Sequence, residues 1–340
     1  MNSIQISKLV QSIRKELGLT RGVPPIITEV YIHDSNLYLI SSDRAEKSLL
    51  LGPGGQVAAE LAKRTGLKVT IYGGDEILIR KHRLHLSKSR IGEIFPNATE
   101  SQKTFLNHLQ TLVNQELAFP AQLKKKELAL DLICNVAIAF SGGVDSTSSA
   151  MILKESGIQP SAILVDLGHE FQNPKEIRLA EEWCDRQNID ITKISPVNER
   201  VDLVERVDEG RIHPCGECHN RIMKLVREYV TKNNYEILVT GEMLPSGRQA
   251  LDLQENILII HLPAALALSK YRTERISEES GKEIFRRKFG CNLVAKSHSK
   301  GWKNSGPSIF RVLRELEAGV LTTGQSLEYI KDIVRTSGKS

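Results

Sequence analysis

Apolar residues recur with a helical period through the first seventeen positions. They are Ile4, Ile6, Leu9, Val10, Ile13 and Leu17, and Gly18 follows where a left-handed cap is expected. Pro24-Pro25 then breaks the chain. Two β-type runs, Ile26 to Ile32 and Leu37 to Ile40, flank His33-Asp34-Ser35-Asn36 and predict two strands joined by a turn. Asp43 can cap a helix from Arg44 to Leu51. Gly52-Pro53-Gly54-Gly55 interrupts it, an amphipathic helix follows from Gln56 to Thr65, and Gly66 ends that helix. Leu67 to Tyr72 predicts a third strand. Arg80 to Pro96, basic and ending in proline, is expected to be a linker. Helical patterning from Ser101 to Leu130 (Leu106, Leu109, Leu112, Val113, Leu117) predicts a bridge to the next domain.

From Asn135 the pattern changes to short apolar runs alternating with helices. Strands are expected at Asn135 to Phe140, Ala162 to Asp166, Ile189 to Ile194, Ile237 to Thr240 and Ile257 to Ile260. Helices are expected from Thr147 to Lys154, Pro174 to Gln187 and Ile222 to Thr231. Such alternation predicts an α/β domain whose parallel sheet is covered on both faces. The expected division is a small α+β domain over 1–80, a linker with bridging helices over 81–130, and an α/β domain over 131–340. Ligands of parallel sheets bind at the carboxyl ends of the strands. That edge would gather residues 141–146, Asp166-Leu167-Gly168-His169-Glu170, Thr240-Gly241-Glu242-Met243 and His261-Leu262-Pro263.

Composition narrows the field modestly. The 340 residues are 40% hydrophobic and 26% charged, as in ordinary soluble globular proteins. A net charge of +5 permits a polyanionic partner without requiring one. Local basic runs at Arg80-Lys81-His82-Arg83, Lys124-Lys125-Lys126 and Arg286-Arg287-Lys288 are candidate nucleic-acid contacts or solvated surface. Aromatic residues make up 5% of the chain, so no broad stacking platform is expected. The longest apolar stretch, Ile257 to Leu268, contains His261 and Pro263 and is too short to span a bilayer. No secretory pattern opens the chain and five cysteines is an odd number, so a reducing cytoplasm, with no membrane partner, is expected.

The strongest local signal is Ser141-Gly142-Gly143-Val144-Asp145-Ser146, set between the apolar run and the helix that follows. A strand, a tight glycine turn and a helix start make an anion cradle, because the first helical N–H groups lack partners and point outward. The GxxxxGK[ST] loop of kinases and GTPases is absent here. The hexapeptide resembles the PP-loop of ATP pyrophosphatases, which cleave ATP between its α and β phosphates. That resemblance implies an adenine nucleotide alpha hydrolase-like fold. It also implies ATP with Mg2+ bound at Ser141, Gly142, Gly143, Val144, Asp145, Ser146, Asp166 and Gly241.

Cys215-Gly216-Glu217-Cys218, read as a loop before the Ile222 helix, and the later Cys291 can supply three thiolates to one metal centre. A structural zinc completed by His213 or His219 is the alternative. Cys134 and Cys184 read as small core hydrophobes. A PP-loop, a CxxC and a distal cysteine in that order resemble the iron–sulfur-dependent tRNA thiolation enzymes. These include the 2-thiouridine and 2-thiocytidine synthetases and the short archaeal 4-thiouridine synthetases. The resemblance implies that Cys215, Cys218 and Cys291 hold a 4Fe–4S cluster with one open iron, and that they act in catalysis with Asp145. The chain departs from those groups in lacking paired zinc knuckles and a THUMP domain, and in reading His261-Leu262-Pro263 where several relatives have Arg-Pro.

Leu51-Gly52-Pro53-Gly54-Gly55 and the order of elements around it resemble a KH-type RNA-binding module, nearer the type II arrangement. This implies that Gly52, Pro53, Gly54 and Gly55 press against an RNA backbone. Together these features lead to an ATP-dependent tRNA sulfurtransferase that adenylylates a pyrimidine oxygen and replaces it with sulfur, from sulfide or another donor. A sulfonucleotide reductase-like or other small-molecule PP-loop enzyme is the second reading, with the first domain serving to form a homodimer. An RNA-binding protein with a structural zinc is the third.

Overall fold

The computed structural model describes residues 2–19, 24–33, 35–120, 135–196, 201–244, 247–283 and 289–338. They divide into two units: Met1–His82 with Asn114–Lys126, and Arg83–Val113 with Glu127–Ser340. Lys124-Lys125-Lys126, Arg286-Arg287-Lys288, Asp34 and Cys134 lie outside the described residues.

In the first unit α1 (Ser3–Glu16), β1 (Ile27–His33), β2 (Asn36–Ser41), α2 (Arg44–Leu51), α3 (Gln56–Thr65) and β3 (Lys68–Gly73) follow one another in the expected order. Asn2 closes a capping box on α1, and Asp43 caps α2 by accepting from the Glu46 amide. The sheet runs β1-β2-β3, antiparallel in the first pair and parallel in the second. The helices pack on one face, where Ile6, Val10, Ile13, Leu37, Leu39, Leu50, Val57, Leu61 and Ile71 form the core. Each comes from an apolar position of the helical or alternating pattern, so burial of one stripe per element holds this unit together.

Helix α4 (Gly74–Ile94) corrects the expected linker at Arg80 to Pro96, and α5 (Glu100–Ala118) follows it. The basic run that suggested an exposed tether is partly spent inside the protein. Arg80 pairs with Glu116, and its guanidinium lies 4.7 Å from the centre of the Phe119 ring. Arg83 is only 4% exposed and donates to the carbonyls of Leu244 at 2.8 Å and Ala318 at 3.1 Å. Removing a buried, charged donor leaves those carbonyls without it, so Arg83→Ala is expected to cost about 3 kcal/mol, read as a loss of melting temperature. Next along α4, Arg90 donates to Leu251 O at 3.2 Å and pairs with Asp252 at 3.1 Å.

The second unit carries β4 (Val136–Ala139), α6 (Val144–Glu155), β5 (Ser161–Val165), α7 (Pro174–Arg186), β6 (Ile191–Ile194), α8 (Val201–Asp208), α9 (Pro214–Lys232) and β7 (Ile237–Thr240). Then come β8 (Leu251–Gln254), β9 (Ile257–His261), α10 (Leu262–Ala265), α11 (Lys270–Glu279), α12 (Asn292–His298), α13 (Trp302–Glu317) and α14 (Thr323–Ser337). The sheet order is β6-β5-β4-β7-β9-β8, parallel throughout except for β8 at the edge. The domain is therefore α/β, as the strand–helix alternation implied. Val226 and Val230 of α9 pack on Ala137, Ile163 and Leu238 to form one side of its core. Strand order reverses beside β4: the chain goes outward through β5 and β6, then returns to β7. A crevice for a ligand therefore opens at the carboxyl ends of β4 and β7.

Two sequence readings change here. The CxxC is not in a loop but in the first five residues of α9, which begins at Pro214. Proline suits that place because its missing N–H would have no helical partner there. The other change is β8, a four-residue edge strand whose Asp252 and Gln254 disguised it.

Candidate functional site

The hexapeptide at 141–146 turns from β4 into α6 at the reversal of strand order. Gly142 has φ +68°, and a side chain there would also overlap Cβ of Ala180 on α7, so both backbone and space require glycine. Gly143 is the N-cap of α6 and offers no capping side chain, which leaves the first N–H groups open to an anion. Both serine hydroxyls make hydrogen bonds within the loop. Ser146 Oγ donates to Gly143 O at 3.0 Å, and Ser141 Oγ accepts from Gly143 N at 3.3 Å. Gly241, following β7, has a different duty. A Cβ there would stand 2.7 Å from both the Asp145 carbonyl carbon and the Ser146 Cα, so glycine lets β7 approach the start of α6. Asp166, just past β5, accepts from the Gly168 amide at 2.8 Å and shapes its own loop.

A cavity of about 1190 Å3 opens at this edge. Gly142, Gly143, Val144 and Asp145 line it, together with Cys215, Lys270 and Arg311; Ser141, Ser146, Asp166 and Gly241 do not. Asp145 is held firmly. Lys270 Nζ lies 2.8 Å from each carboxylate oxygen, and Thr273 Oγ1 donates to Oδ1 at 2.9 Å. Burial opposes the Lys270 charge, but Asp145 beside it prevails and holds the ammonium pKa above its ordinary value. Arg311 behaves alike: desolvation works against it, while Glu315, Cys215 and Asp145 keep it charged. The cavity thus presents fixed positive charge beside an open helix N-terminus, which suits phosphates.

Lys270, Thr273 and Arg311 were not foreseen. Lys270 and Thr273 lie 125 and 128 positions from Asp145, and no local motif marks them. The Ser269 cap of α11 was the available signal for that helix, though not for its role.

Cys215 and Cys218 at the start of α9 and Cys291 at the N-cap of α12 lie within electrostatic reach of one another. Cys218 and Cys291 pack against the small core of Leu203, Val207 and Leu293, and Cys215 faces the cavity. Burial raises the Cys215 pKa. It pushes Cys218 up to about 12, with the other two thiols adding to the effect. Uncompensated, the Cys215 and Cys218 thiols stay protonated; a bound cationic centre would reverse that balance. Among the described residues no three His, Cys, Asp or Glu side chains stand close enough to hold one metal ion. The histidines considered for zinc have other partners. His213 Nε2 meets Ser308 Oγ at 2.9 Å, and His219 pairs with Glu242 at 3.3 Å. Cys184 is fully buried and its pKa is pushed up to about 12 by burial, as suits a core residue.

Ser308 Oγ also meets His298 Nε2 at 2.8 Å. Burial, then nearby His213, pushes the His298 pKa down to about 4 from 6.5. Below pH 6.5 the unfolded chain takes a proton that folded His298 refuses. Stability is therefore expected to be full above that pH and to decline towards pH 4, a slope that His298→Gln flattens in melting curves.

The glycine loop of the first unit carries φ values of +70° at Gly52, +60° at Gly54 and +80° at Gly55, with Pro53 opening a turn of 3₁₀ helix. A side chain at Gly54 or Gly55 would meet no protein atom within 4 Å, so that surface is open. Arg221 pairs with Asp202 at 2.7 Å, and Lys224 lies on the exposed face of α9 beside Glu228.

No family model matches the chain. It is 29% identical over 217 residues to an uncharacterised protein of Methanocaldococcus jannaschii, covering 61% of this chain and 78% of that protein. A probable tRNA sulfurtransferase of Coxiella burnetii is 25% identical over 296 residues, 75% of this chain and 73% of that one. The tRNA-specific 2-thiouridylase MnmA 2 of Fusobacterium nucleatum is 32% identical over 113 residues, 31% of this chain and 33% of that enzyme. Among solved structures, the U34-tRNA thiolase NcsA from Methanococcus maripaludis, solved with its 4Fe–4S cluster, aligns over 63% of this chain and 77% of its own. Its TM-score is 0.38 at 16% identity. No helix among the described residues is long and apolar enough to cross a membrane.

Proposed function

We propose that the protein is an ATP-dependent tRNA sulfurtransferase of the PP-loop type. The observation that carries this reading is the shared cavity: the glycine turn with its Asp145–Lys270 pair and the Cys215 thiol line one space. The tRNA enzymes among the sequence relatives support it.

In this reading the open N–H groups of α6 and the cations Lys270 and Arg311 hold the phosphates of ATP. Asp145 keeps the Lys270 ammonium in place and has a remaining lone pair for Mg2+, since three acceptor sites of its carboxylate are already used. The pyrimidine oxygen forms a bond to the α-phosphorus as the bond to pyrophosphate breaks. Attack of sulfide on the activated ring carbon then expels AMP, so one oxygen leaves for each sulfur gained. Cys215, Cys218 and Cys291 would hold the iron–sulfur cluster, which supplies a binding site for that sulfide. A cluster with several irons takes thiolates that stand further apart than one zinc ion allows, in keeping with the three separated thiols. Gly52, Pro53, Gly54 and Gly55 would let an RNA backbone approach the first unit, where no side chain stands in the way.

The test is a comparison of the thionucleosides in tRNA from cells with and without the gene. Loss of one thionucleoside is expected. An unchanged tRNA pool would return the chain to the small-molecule PP-loop enzymes.

A further inference from the structure

Helix α13 has two working faces. Val312 points into the protein, and Pro307, Ser308, Arg311 and Glu315 line the cavity. The opposite face is apolar yet open to solvent: Trp302 is 61%, Phe310 63% and Leu313 46% exposed. With Gly306, these residues form one stripe at spacings of four and three. The chain has only two tryptophans, and the other, Trp183, is wholly buried. Leaving the second in water sacrifices the burial that a ring of this size normally gains, which marks the stripe as a contact surface.

Charge decides what it contacts. Lys300 and Lys303 are exposed neighbours of Trp302 in the chain and Arg314 stands by Phe310, and no ion pair joins any of the three to an acid among the described residues. The Arg314 guanidinium stands 5.8 Å from the centre of the Phe310 ring. The acids of the helix, Glu315 and Glu317, fall in its last turn, and Glu315 is tied to Arg311 at 2.7 Å. Unpaired cations interleaved with exposed rings suit a polyanion whose bases have π faces, better than they suit an apolar protein surface.

We propose that this face of α13 is a stacking platform for unpaired RNA bases next to the nucleotide that enters the cavity. The inference rests on the reading of tRNA as substrate. A base drawn into the cavity past Pro307 and Arg311 brings its neighbours along the rim, and Phe310 is adjacent to Arg311 in the chain. Trp302 and Phe310 are separated by two turns, about 12 Å along the axis, so each takes a separate base. Lys300, Lys303 and Arg314 lie where they can meet the intervening phosphates.

The test is binding of the full chain to an unmodified tRNA transcript across a salt series. Trp302→Ala and Phe310→Ala are each expected to weaken binding roughly tenfold, while Trp302→Phe keeps most of it. Arg314→Gln is expected to lower the salt slope by about one. Because Trp183 is buried, tRNA should quench emission from Trp302, and Trp302→Phe should abolish that quenching. Wild-type affinity in both alanine variants overturns the platform. So does unchanged RNA affinity with a dimer converted to monomers, which would make the face a contact between copies. Unchanged thionucleosides in the gene-deleted cells, alongside weakened binding in the variants, would sink the thiolation reading and leave the platform standing.

Discussion

Gly241→Ala is expected to lower ATP–pyrophosphate exchange roughly a hundredfold and to destabilise the α/β unit together. The added methyl would sit 2.7 Å from the Asp145 carbonyl carbon and the Ser146 Cα, and closer still to the Ser146 nitrogen. All three are backbone atoms at the start of α6, so no side chain can rotate out of the way. Relief requires β7 and α6 to move apart. Overpacking of this kind costs about 1–3 kcal/mol. The catalytic loss should be larger, because Gly142, Gly143 and Asp145 move with the helix. A displacement of about 1 Å at reacting groups is enough for a loss of roughly a hundredfold. Exchange measured beside a melting curve separates the two effects. A variant with normal exchange would mean that Gly241 does not set the position of the loop.

Replacing any of Cys215, Cys218 and Cys291 with serine is expected to split the reaction. If they hold the cluster as proposed, thiolation should fall by more than about a hundredfold, as loss of a ligand exceeds the 10–100-fold cost of losing an outer partner. ATP–pyrophosphate exchange should persist, since in the proposed function the α6 N-terminus and Lys270, not the thiols, hold the phosphates. Iron and acid-labile sulfide, measured after anaerobic purification, should drop with each substitution. The three thiols belong to two helix starts far apart in sequence, yet Cys291 raises the pKa of both Cys215 and Cys218, so they stand near each other. Equal thiolation in all three variants would remove the cysteines from the chemistry.

Much of the architecture could be read from local patterns. Helix α3 begins and ends where its apolar stripe and Gly66 indicated, and the strand cores of the parallel sheet are the Val/Ile-rich runs. Local periodicity fails where an element answers to distant partners. Residues 80–96 read as a basic tether, yet Arg83 and Arg90 spend their charge on Leu244, Ala318, Leu251 and Asp252. Helix α13 hid behind Gly306 and Pro307, which usually argue against a helix interior.

The site divides along the same line. The glycine turn is contiguous, so its backbone demands are written in six residues. Lys270, Thr273 and Arg311 meet Asp145 or the cavity only through the packing of α11 and α13. The serines show the converse: their type was evident in the motif, but not the hydrogen bonds by which their hydroxyls brace the loop.

Anaerobically purified protein, incubated with unmodified tRNA, ATP and sulfide, tests the shared cavity most directly. Mass spectrometry of the digested tRNA is expected to find a new thiopyrimidine, with one AMP and one pyrophosphate released for each sulfur incorporated. A tRNA that stays free of sulfur, while the iron-loaded protein still turns ATP into AMP, would contradict it.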